Sequence, residues 1–228
     1  MTELRREELA NNLAKVETDI ATACADAGRE QSEVTLIAVT KTYPASDVDL
    51  LAGLGVRDVG ENRHPEAERK KAETNADLRW HFLGGLQTNK AAAVARYADV
   101  VHSVDRLKLV NALQKGAAAA DRVLECLVQV DFDTTDPGRA GVIPENVLEM
   151  AAHVDNAENL RLGGLMVVAP LGVDPEPAFA QLAELSQQVR AEYPHATAIS
   201  AGMSEDFAAA IKYGATHVRI GRSILGNR

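Results

Sequence analysis

The sequence is poor in cysteine and in positive charge, and each shortage excludes a class of protein. Only two cysteines occur among 228 residues, Cys24 and Cys126, with no paired spacing that suggests a disulfide framework or a zinc site. Lys and Arg number 24 against 33 Asp and Glu, and the net charge of -9 argues against a general nucleic-acid surface. An anionic ligand would therefore need a local cationic pocket.

Long apolar runs are also missing. Residues 1–13 are charged and polar, so they do not form the apolar segment of a signal peptide, and no later stretch approaches the ~20 apolar residues of a membrane helix. We expect no membrane association and a cytoplasmic location. No low-complexity tract or Pro/Gly/Ser-rich linker marks a boundary, so we expect one domain over residues 1–228.

Helical and strand patterns alternate along the chain. Residues 3–28 carry apolar side chains at helical spacing and end at Gly28, which predicts a long N-terminal helix. Eight short runs rich in β-branched residues predict strands at 34–40, 56–60, 79–84, 99–104, 122–130, 160–168, 197–200 and 217–221. Segments with helical spacing lie between them.

Eight strand-plus-helix units predict an α/β fold, a (β/α)8 TIM-type barrel with an extra N-terminal helix. An open, doubly wound sheet is the alternative, because alternation alone does not show closure. However, no GxGxxG follows the first predicted strand. The least regular segment is 131–141, rich in Asp, Thr and Gly, which we predict to be a mobile loop.

In barrels of this type the chemistry lies at the carboxyl ends of the strands. The noteworthy residues at the ends of the predicted strands are Lys41, Glu61, Asn62, His81, Gly84, Ser103, Met166, Ser200 to Ser204 and Arg219 to Arg222. The candidate functional residues are therefore sought among them.

Lys41 directly follows the first predicted strand, which would deliver its ammonium group into the mouth of the barrel. Taken alone it is more often a solvated surface lysine. With an ordinary pKa near ~10.4, only about one such lysine in two thousand is neutral at pH 7. Schiff-base chemistry needs the neutral amine, which desolvation or a neighbouring cation such as Arg219 could supply.

Two loops near the C-terminus favour an anion. Ser200, Gly202 and Ser204 precede a predicted helix, where free backbone amides attract a phosphate; the alternative is an ordinary helix with Ser204 as its N-cap. After the next strand, Gly221 allows close backbone approach and Arg222 begins another helix. Barrels frequently bind phosphate with the loops after strands seven and eight, so the succession favours a phosphate site.

The six histidines show no HExxH and no other close metal-ligand pair, so we expect no dedicated metal site. His81 lies between Trp80 and Phe82 in the third predicted strand. It is either a packed core histidine or, facing the mouth, a partner for a flat ligand ring.

Seven ordered motifs resemble the pyridoxal phosphate homeostasis protein family, single-domain relatives of the barrel of alanine racemase that carries pyridoxal 5'-phosphate (PLP). The resemblance spans roughly residues 30–228. The motifs are AVTK at 38–41, GEN at 60–62, WHFLGGLQTNK at 80–90, VHSVD at 101–105, GLM at 164–166, GMS at 202–204 and RIGRSILG at 219–226. Any one of them is weak, but the ordered set is specific.

The resemblance implies that PLP is held as a covalent aldimine on Lys41 and that Arg219 faces the pyridine nitrogen. The further cofactor-binding residues it implies are Asn62 and His81 along the ring, and Met203, Ser204, Gly221, Arg222 and, more weakly, Ser200 around the phosphate. This chain departs from the family at Arg222, where relatives commonly have Thr or Ser. The guanidinium of Arg222 either pairs with phosphate or lies in solvent.

The resemblance also implies a monomer that buffers or delivers PLP, with apo-PLP enzymes as recipients and little or no catalysis. Arg219 has no acceptor, so it can only donate to an unprotonated pyridine nitrogen, which weakens the electron sink. Alanine racemase supplies a second acid-base group, a tyrosine, from a further domain and a partner subunit. Tyr43, close to Lys41 in sequence, is a candidate for a local substitute, although nothing in the sequence places it on the opposite face.

Two other functions stay open at this point. One is a PLP-dependent amino-acid racemase, in which Lys41 would be the catalytic residue. The other is a cofactor-free lysine aldolase, since a lysine in a barrel mouth beside phosphate-binding loops also suits a sugar phosphate.

Overall fold

In a computed structural model, which describes residues 2–133, 138–170 and 172–226, eight parallel strands form a closed barrel in sequence order. The strands are β1 (Thr35–Val39), β2 (Asp58–Glu61), β3 (Arg79–Phe82), β4 (Val100–Val104), β5 (Leu124–Val130), β6 (Leu160–Val167), β7 (Ala198–Ser200) and β8 (His217–Ile220). The last strand pairs with the first, Leu36 opposite Val218, so the ring has no open edge. The predicted barrel is confirmed and the open sheet is excluded.

Helices surround the barrel. They are α1 (Thr2–Asp26), α2 (Ala45–Gly53), α3 (Glu66–Glu73), α4 (Ala91–Tyr97), α5 (Leu107–Ala119), α6 (Val147–Asp155), α7 (Glu176–Glu192), α8 (Phe207–Lys212) and α9 (Arg222–Leu225), with 3₁₀ turns at 31–33, 88–90 and 144–146. Among the described residues, none of the helices has both the length and the apolarity to cross a membrane.

The predicted N-terminal helix is present as α1. Its apolar stripe of Leu9, Leu13, Val16 and Ile20 is buried, and α1 packs against α2, α8 and α9. Burying each of these side chains contributes about 1.5–3 kcal/mol. Gly28 follows the helix with φ of +66°, a left-handed conformation that suits glycine after a helix end.

Alternation along each strand divides the side chains between the barrel interior and the helix layer. On β8, Val218 and Ile220 pack outward among the residues of α1 and α2, so His217 and Arg219 point into the barrel. On β3, Trp80 packs outward in the same cluster, which turns His81 inward. This alternation places polar residues inside the barrel.

The segment 131–141, predicted to be a mobile loop, includes residues 134–137, which lie outside the described residues. On either side of them the chain is held by hydrogen bonds. Arg139 Nε donates to Asp131 Oδ1 at 3.1 Å, and Arg139 Nη2 donates to the carbonyl of Val168 at 2.6 Å.

Candidate functional site

A cavity of about 460 Å³ opens where the carboxyl ends of the strands meet. We call it the mouth cavity. Its lining residues are Val39, Lys41, Asn62, Leu83, Met166, Val168, Met203, Ser204, Glu205, Asp206, Arg219, Gly221 and Arg222. Seven of the nine cofactor-binding candidates from the sequence are among them, and the two that are not are His81 and Ser200.

Lys41 lies just past β1, in an exposed turn at the cavity. Thr42 follows it with φ of +70°, and the Thr42 amide donates to Glu66 Oε1 at 2.7 Å. No described residue forms a hydrogen bond or an ion pair with the Lys41 amine. The turn therefore presents a primary amine that is available to a ligand.

A buried ion pair lies under this turn. Lys70 Nζ donates to Glu61 Oε1 at 2.6 Å and to the carbonyl of Thr40 at 2.7 Å, while Thr40 Oγ1 donates to the same carboxyl oxygen at 2.5 Å. Burial raises the pKa of Glu61 even though both donors favour its charged form. The cluster ties α3 to the ends of β1 and β2, so it fixes the backbone from which Lys41 projects.

Asn62 reaches the cavity from the end of β2, and its Oδ1 is buried with no hydrogen-bond partner among the described residues. The backbone at Asn62 is closely packed, because a Cβ at Gly84 would lie 2.1 Å from the Asn62 carbonyl oxygen. A buried polar atom without a partner costs about 1–3 kcal/mol. A ligand that bonds to the Asn62 amide would offset that cost.

Arg219 lies at the base of the cavity and is only 6% exposed. Its Nη1 donates to Ser200 Oγ at 2.7 Å and its Nη2 donates to the Val167 carbonyl at 2.8 Å. Burial lowers the pKa of Arg219 to about 10, so the guanidinium still carries its charge at neutral pH. No described carboxylate forms an ion pair with it, which leaves a buried cation that favours an acceptor in the cavity.

The part of the cavity lined by Ser204 and Gly221 suits a phosphate. α8 begins at Phe207 with Asp206 as its N-cap residue, so Ser204 lies in the turn before the helix and is not its cap. The Ser204 hydroxyl has no hydrogen-bond partner within the described residues. At Gly221 a Cβ would lie 3.1 Å from the Val39 carbonyl, so a larger residue would crowd the backbone there.

Arg222 stands at the rim of the same part of the cavity. Its Nη2 donates to Glu205 Oε1 at 2.7 Å, and the two side chains are 68% and 82% exposed. The guanidinium therefore pairs with a neighbouring carboxylate across the rim.

His81 and Ser200 lie inside the barrel, one layer below the mouth cavity. Ser200 Oγ is 2.9 Å from His102 Nδ1, and His102 Nε2 is 2.9 Å from His81 Nδ1. His81 Nε2 lies 2.8 Å from Asp58 Oδ1. The sequence analysis offered two interpretations of His81, a packed core histidine or a partner for a ligand ring. The structure places it as a buried histidine inside the barrel.

Four residues of these clusters were not among the sequence candidates: Thr40, Lys70, Asp58 and His102. The position of His102 could have been found, since it lies in a predicted strand and alternates with outward-facing Val101. Lys70 was harder to identify. It follows Glu66 by four residues, the spacing of an ion pair on a helix, but the segment is so rich in charged residues that its helical pattern is not apparent.

A second cavity, of about 430 Å³, lies at the amino ends of the strands, and we call it the amino-end cavity. Arg79 donates to Glu125 at 2.8 Å, and Arg161 donates to the same carboxylate. His217 is partly buried beside them, and desolvation lowers its pKa to about 4. Among the described residues, no group of three or more His, Cys, Asp or Glu could hold a metal ion.

The sequence is similar to a known protein family and to individual proteins. The family of the alanine racemase N-terminal domain matches residues 12–228. A pyridoxal phosphate homeostasis protein of Mycobacterium bovis is 41% identical over 244 residues, which cover 98% of this chain and 94% of the relative.

Solved structures extend the similarity to the fold. PipY of Synechococcus elongatus, solved with PLP bound, superposes with a TM-score of 0.84 at 32% identity, covering 96% of this chain and all of PipY, 100%. Alanine racemase from Corynebacterium glutamicum superposes with a TM-score of 0.69 at 14% identity, covering 98% of this chain and 62% of the racemase. The second likeness is one of fold alone.

Proposed function

Since this chain belongs to the pyridoxal phosphate homeostasis proteins, within the family of the alanine racemase N-terminal domain, we propose that it binds PLP in the mouth cavity. One observation carries the proposal. The cavity combines an available lysine amine with a buried guanidinium that has no carboxylate partner among the described residues. An anionic aldehyde with a ring acceptor would use both groups.

Different residues of the chain would bind different parts of PLP. We assign Lys41 to the covalent Schiff base, Arg219 to the ring nitrogen and Asn62 to the ring. Ser204 and the backbone of Gly221 would hold the phosphate, with Met203 beside it. Bound PLP supplies an aldehyde that condenses with a lysine amine, releasing water, and a ring that withdraws electrons.

The same residues favour storage over catalysis. Arg219 can donate a hydrogen bond to the ring nitrogen but cannot protonate it readily, so the ring would remain a weak electron sink. Tyr43, the local substitute for a second acid-base group, donates its hydroxyl to the Gly226 carbonyl at 2.8 Å and does not line the cavity. We therefore propose a protein that buffers or delivers PLP and so supports PLP and amino-acid homeostasis.

Three further features stay predictions of the family resemblance. They are a monomeric state, a cytoplasmic location and delivery of PLP to apo-enzymes. Gel filtration and mixing of the loaded protein with an apo-enzyme would test the first and the last.

The test of the proposal is a PLP titration followed by absorbance, with borohydride reduction and peptide mass mapping. Wild-type protein should develop a Schiff-base absorbance band and carry the reduced adduct on Lys41. Lys41→Ala should lose both, while Lys108→Ala, at an exposed lysine that does not line the cavity, should keep both. A wild-type protein without a band, or with its adduct on another lysine, would contradict the assignment.

A second measurement separates storage from racemisation. Loaded protein incubated with an amino acid in D₂O should exchange its α-proton no faster than free PLP does. Exchange at the rate of a dedicated enzyme would instead make this chain a racemase.

A further inference from the structure

A continuous row of hydrogen bonds crosses the barrel interior, from the mouth cavity to the amino ends of the strands. Its members are Arg219, Ser200, His102, His81 and Asp58. The four links are Arg219 Nη1 to Ser200 Oγ at 2.7 Å, Ser200 Oγ to His102 Nδ1 at 2.9 Å, His102 Nε2 to His81 Nδ1 at 2.9 Å, and His81 Nε2 to Asp58 Oδ1 at 2.8 Å.

Each member of the row comes from a different strand: β8, β7, β4, β3 and β2. Arg219, Ser200, His102 and His81 are buried. The Asp58 side chain is 19% exposed and borders an open hollow at the amino ends of the strands. The row therefore joins a buried cation under the mouth cavity to a carboxylate at the far end of the barrel.

The chemistry of the two end groups fixes the direction of every link. A guanidinium only donates and a carboxylate only accepts. If both imidazoles are neutral, His81 carries its proton on Nε2 for Asp58, and His102 carries its proton on Nε2 for His81. Ser200 then donates its hydroxyl to His102 Nδ1 and accepts from Arg219, so every donor and every acceptor in the row is used.

The neutral state of His102 has a physical cause. Burial, together with the nearby His81 and the cation of Arg219, lowers the pKa of His102 well below its ordinary value. A proton on His102 Nδ1 would also make His102 a second donor to Ser200 Oγ and leave the Ser200 hydroxyl proton without an acceptor in the row. The arrangement with neutral imidazoles is therefore the one in which the row is complete.

We propose that Asp58, His81 and His102 are positioning residues for Arg219. They set the Ser200 hydroxyl so that its lone pair, and not its proton, faces the guanidinium, and so hold the Arg219 side chain in the orientation in which it lines the mouth cavity. This role rests on the proposed function, because the orientation of Arg219 matters only if a ligand accepts from it. A carboxylate at one end of the barrel would then tune binding at the other.

The first test needs no PLP. Long-range ¹H–¹⁵N spectra of imidazole-labelled protein should show His81 and His102 protonated on Nε2 and unprotonated on Nδ1. Asp58→Ala should change the tautomer ratio of His102, which Asp58 does not touch. His102 protonated on Nδ1 in the wild type, or unchanged in Asp58→Ala, would overturn the proposal.

His217 supplies a matched control. Its ring centroid lies 6.2 Å from that of His81 and 6.5 Å from that of His102, but its Nδ1 pairs with Thr216 Oγ1 at 2.8 Å. His217→Asn should leave the tautomer of His102 unchanged. A change as large as that in Asp58→Ala would mean that any substitution in the barrel interior shifts the row.

The second test measures the dissociation constant for PLP. Asp58→Ala and Ser200→Ala should each weaken binding about three- to tenfold, the size expected for losing one hydrogen bond. The double variant should be no weaker than Ser200→Ala alone, because that substitution has already cut the row. Asp58→Asn, which keeps an acceptor oxygen, should lie between the wild type and Asp58→Ala.

The outcomes separate the two proposals. If the wild type binds PLP and Asp58→Ala binds it equally well, or if the two losses add fully, the positioning role fails and the proposed function stands. If the wild type does not bind PLP, both fail.

Discussion

The two ends of the barrel carry cavities of similar volume, about 460 Å³ at the mouth and about 430 Å³ at the amino ends, but they treat their charges differently. In the amino-end cavity Arg79 and Arg161 share Glu125. In the mouth cavity Lys41 and Arg219 form no ion pair with any described residue. Charges that pair with each other within the protein serve the fold itself, whereas charges without a partner in the protein are available to bind a ligand.

The contrast also shows why volume alone does not identify a site. The mouth cavity is the one that lies where barrel folds place their chemistry, and the turn that carries Lys41 rests on a buried floor formed by Glu61, Lys70 and Thr40. Substitutions at four positions, each with a control or a partner variant, test how far the two ends differ.

The largest effect is expected from Lys70→Met, which removes one partner of the buried pair. Glu61 would be left buried without its cation, and loss of one partner of a buried pair costs about 3–5 kcal/mol of unfolding free energy. Urea unfolding would measure it. The double variant Lys70→Met, Glu61→Gln should recover most of the loss, because it leaves no unpaired charge.

Lys212→Met gives the control for that substitution. Lys212 pairs with Glu176 at 2.8 Å on the surface, so its loss should change stability little. A Lys70→Met protein as stable as Lys212→Met would show that the floor under Lys41 does not depend on the ion pair.

The second-largest effect is expected at His217 in the amino-end cavity, whose contribution to stability depends on pH. The pKa of His217 is about 4 in the folded protein and near ~6.5 when unfolded, so the unfolded state binds the extra proton between these values. Stability should therefore fall as the pH drops from about 6.5 to about 4, by up to about 3 kcal/mol, and this contribution should not change further below pH 4.

His217→Asn should flatten that pH dependence when urea unfolding is compared at pH 7, 5.5 and 4.5. The difference between the two proteins isolates His217 from the carboxylates, which are common to both. Equal slopes would mean that the partly buried ring is protonated in the fold at little cost.

The fold was largely readable from the sequence. Each β-branched run became a strand within about two residues of its predicted bounds, because closure buries both faces of every strand. The helix α3 was implied by the eight strand-plus-helix units, but its own segment shows no helical spacing. Six of its eight residues are charged, so it lacks an apolar stripe, and it packs through Ala67 and the stem of Lys70.

The site was predictable in its parts but not in its connections. Motif spacing identified seven residues that line the mouth cavity, since each lies near or just after the carboxyl end of a strand. The sequence could not show how far below the cavity each side chain lies. His81 and Ser200 lie one layer lower because side chains alternate along a strand, and the pairing of His81 with Asp58 depends on barrel register.

A smaller effect is expected from Gly84→Ala, at the mouth. The new Cβ would lie 2.1 Å from the Asn62 carbonyl oxygen, so the backbone at Asn62 must shift. Overpacking of this kind costs about 1–3 kcal/mol, and PLP binding should weaken with it because Asn62 moves. Gly85→Ala meets nothing within 4 Å and should change neither. Equal behaviour of the two variants would remove Asn62 from the binding site.

The smallest effect is expected at the rim, where Arg222 stands in place of the common Thr or Ser. Arg222 belongs to the mouth but is already paired with Glu205, and both side chains are well exposed, so the pair should contribute little. Arg222→Thr and Arg222→Ala should bind PLP within about threefold of the wild type, because Ser204 and the backbone of Gly221 remain to hold the phosphate. Glu205→Gln should instead tighten binding and steepen its salt dependence, since the freed guanidinium can reach the phosphate. If Arg222→Ala weakened binding more than about tenfold, the guanidinium would hold phosphate despite Glu205.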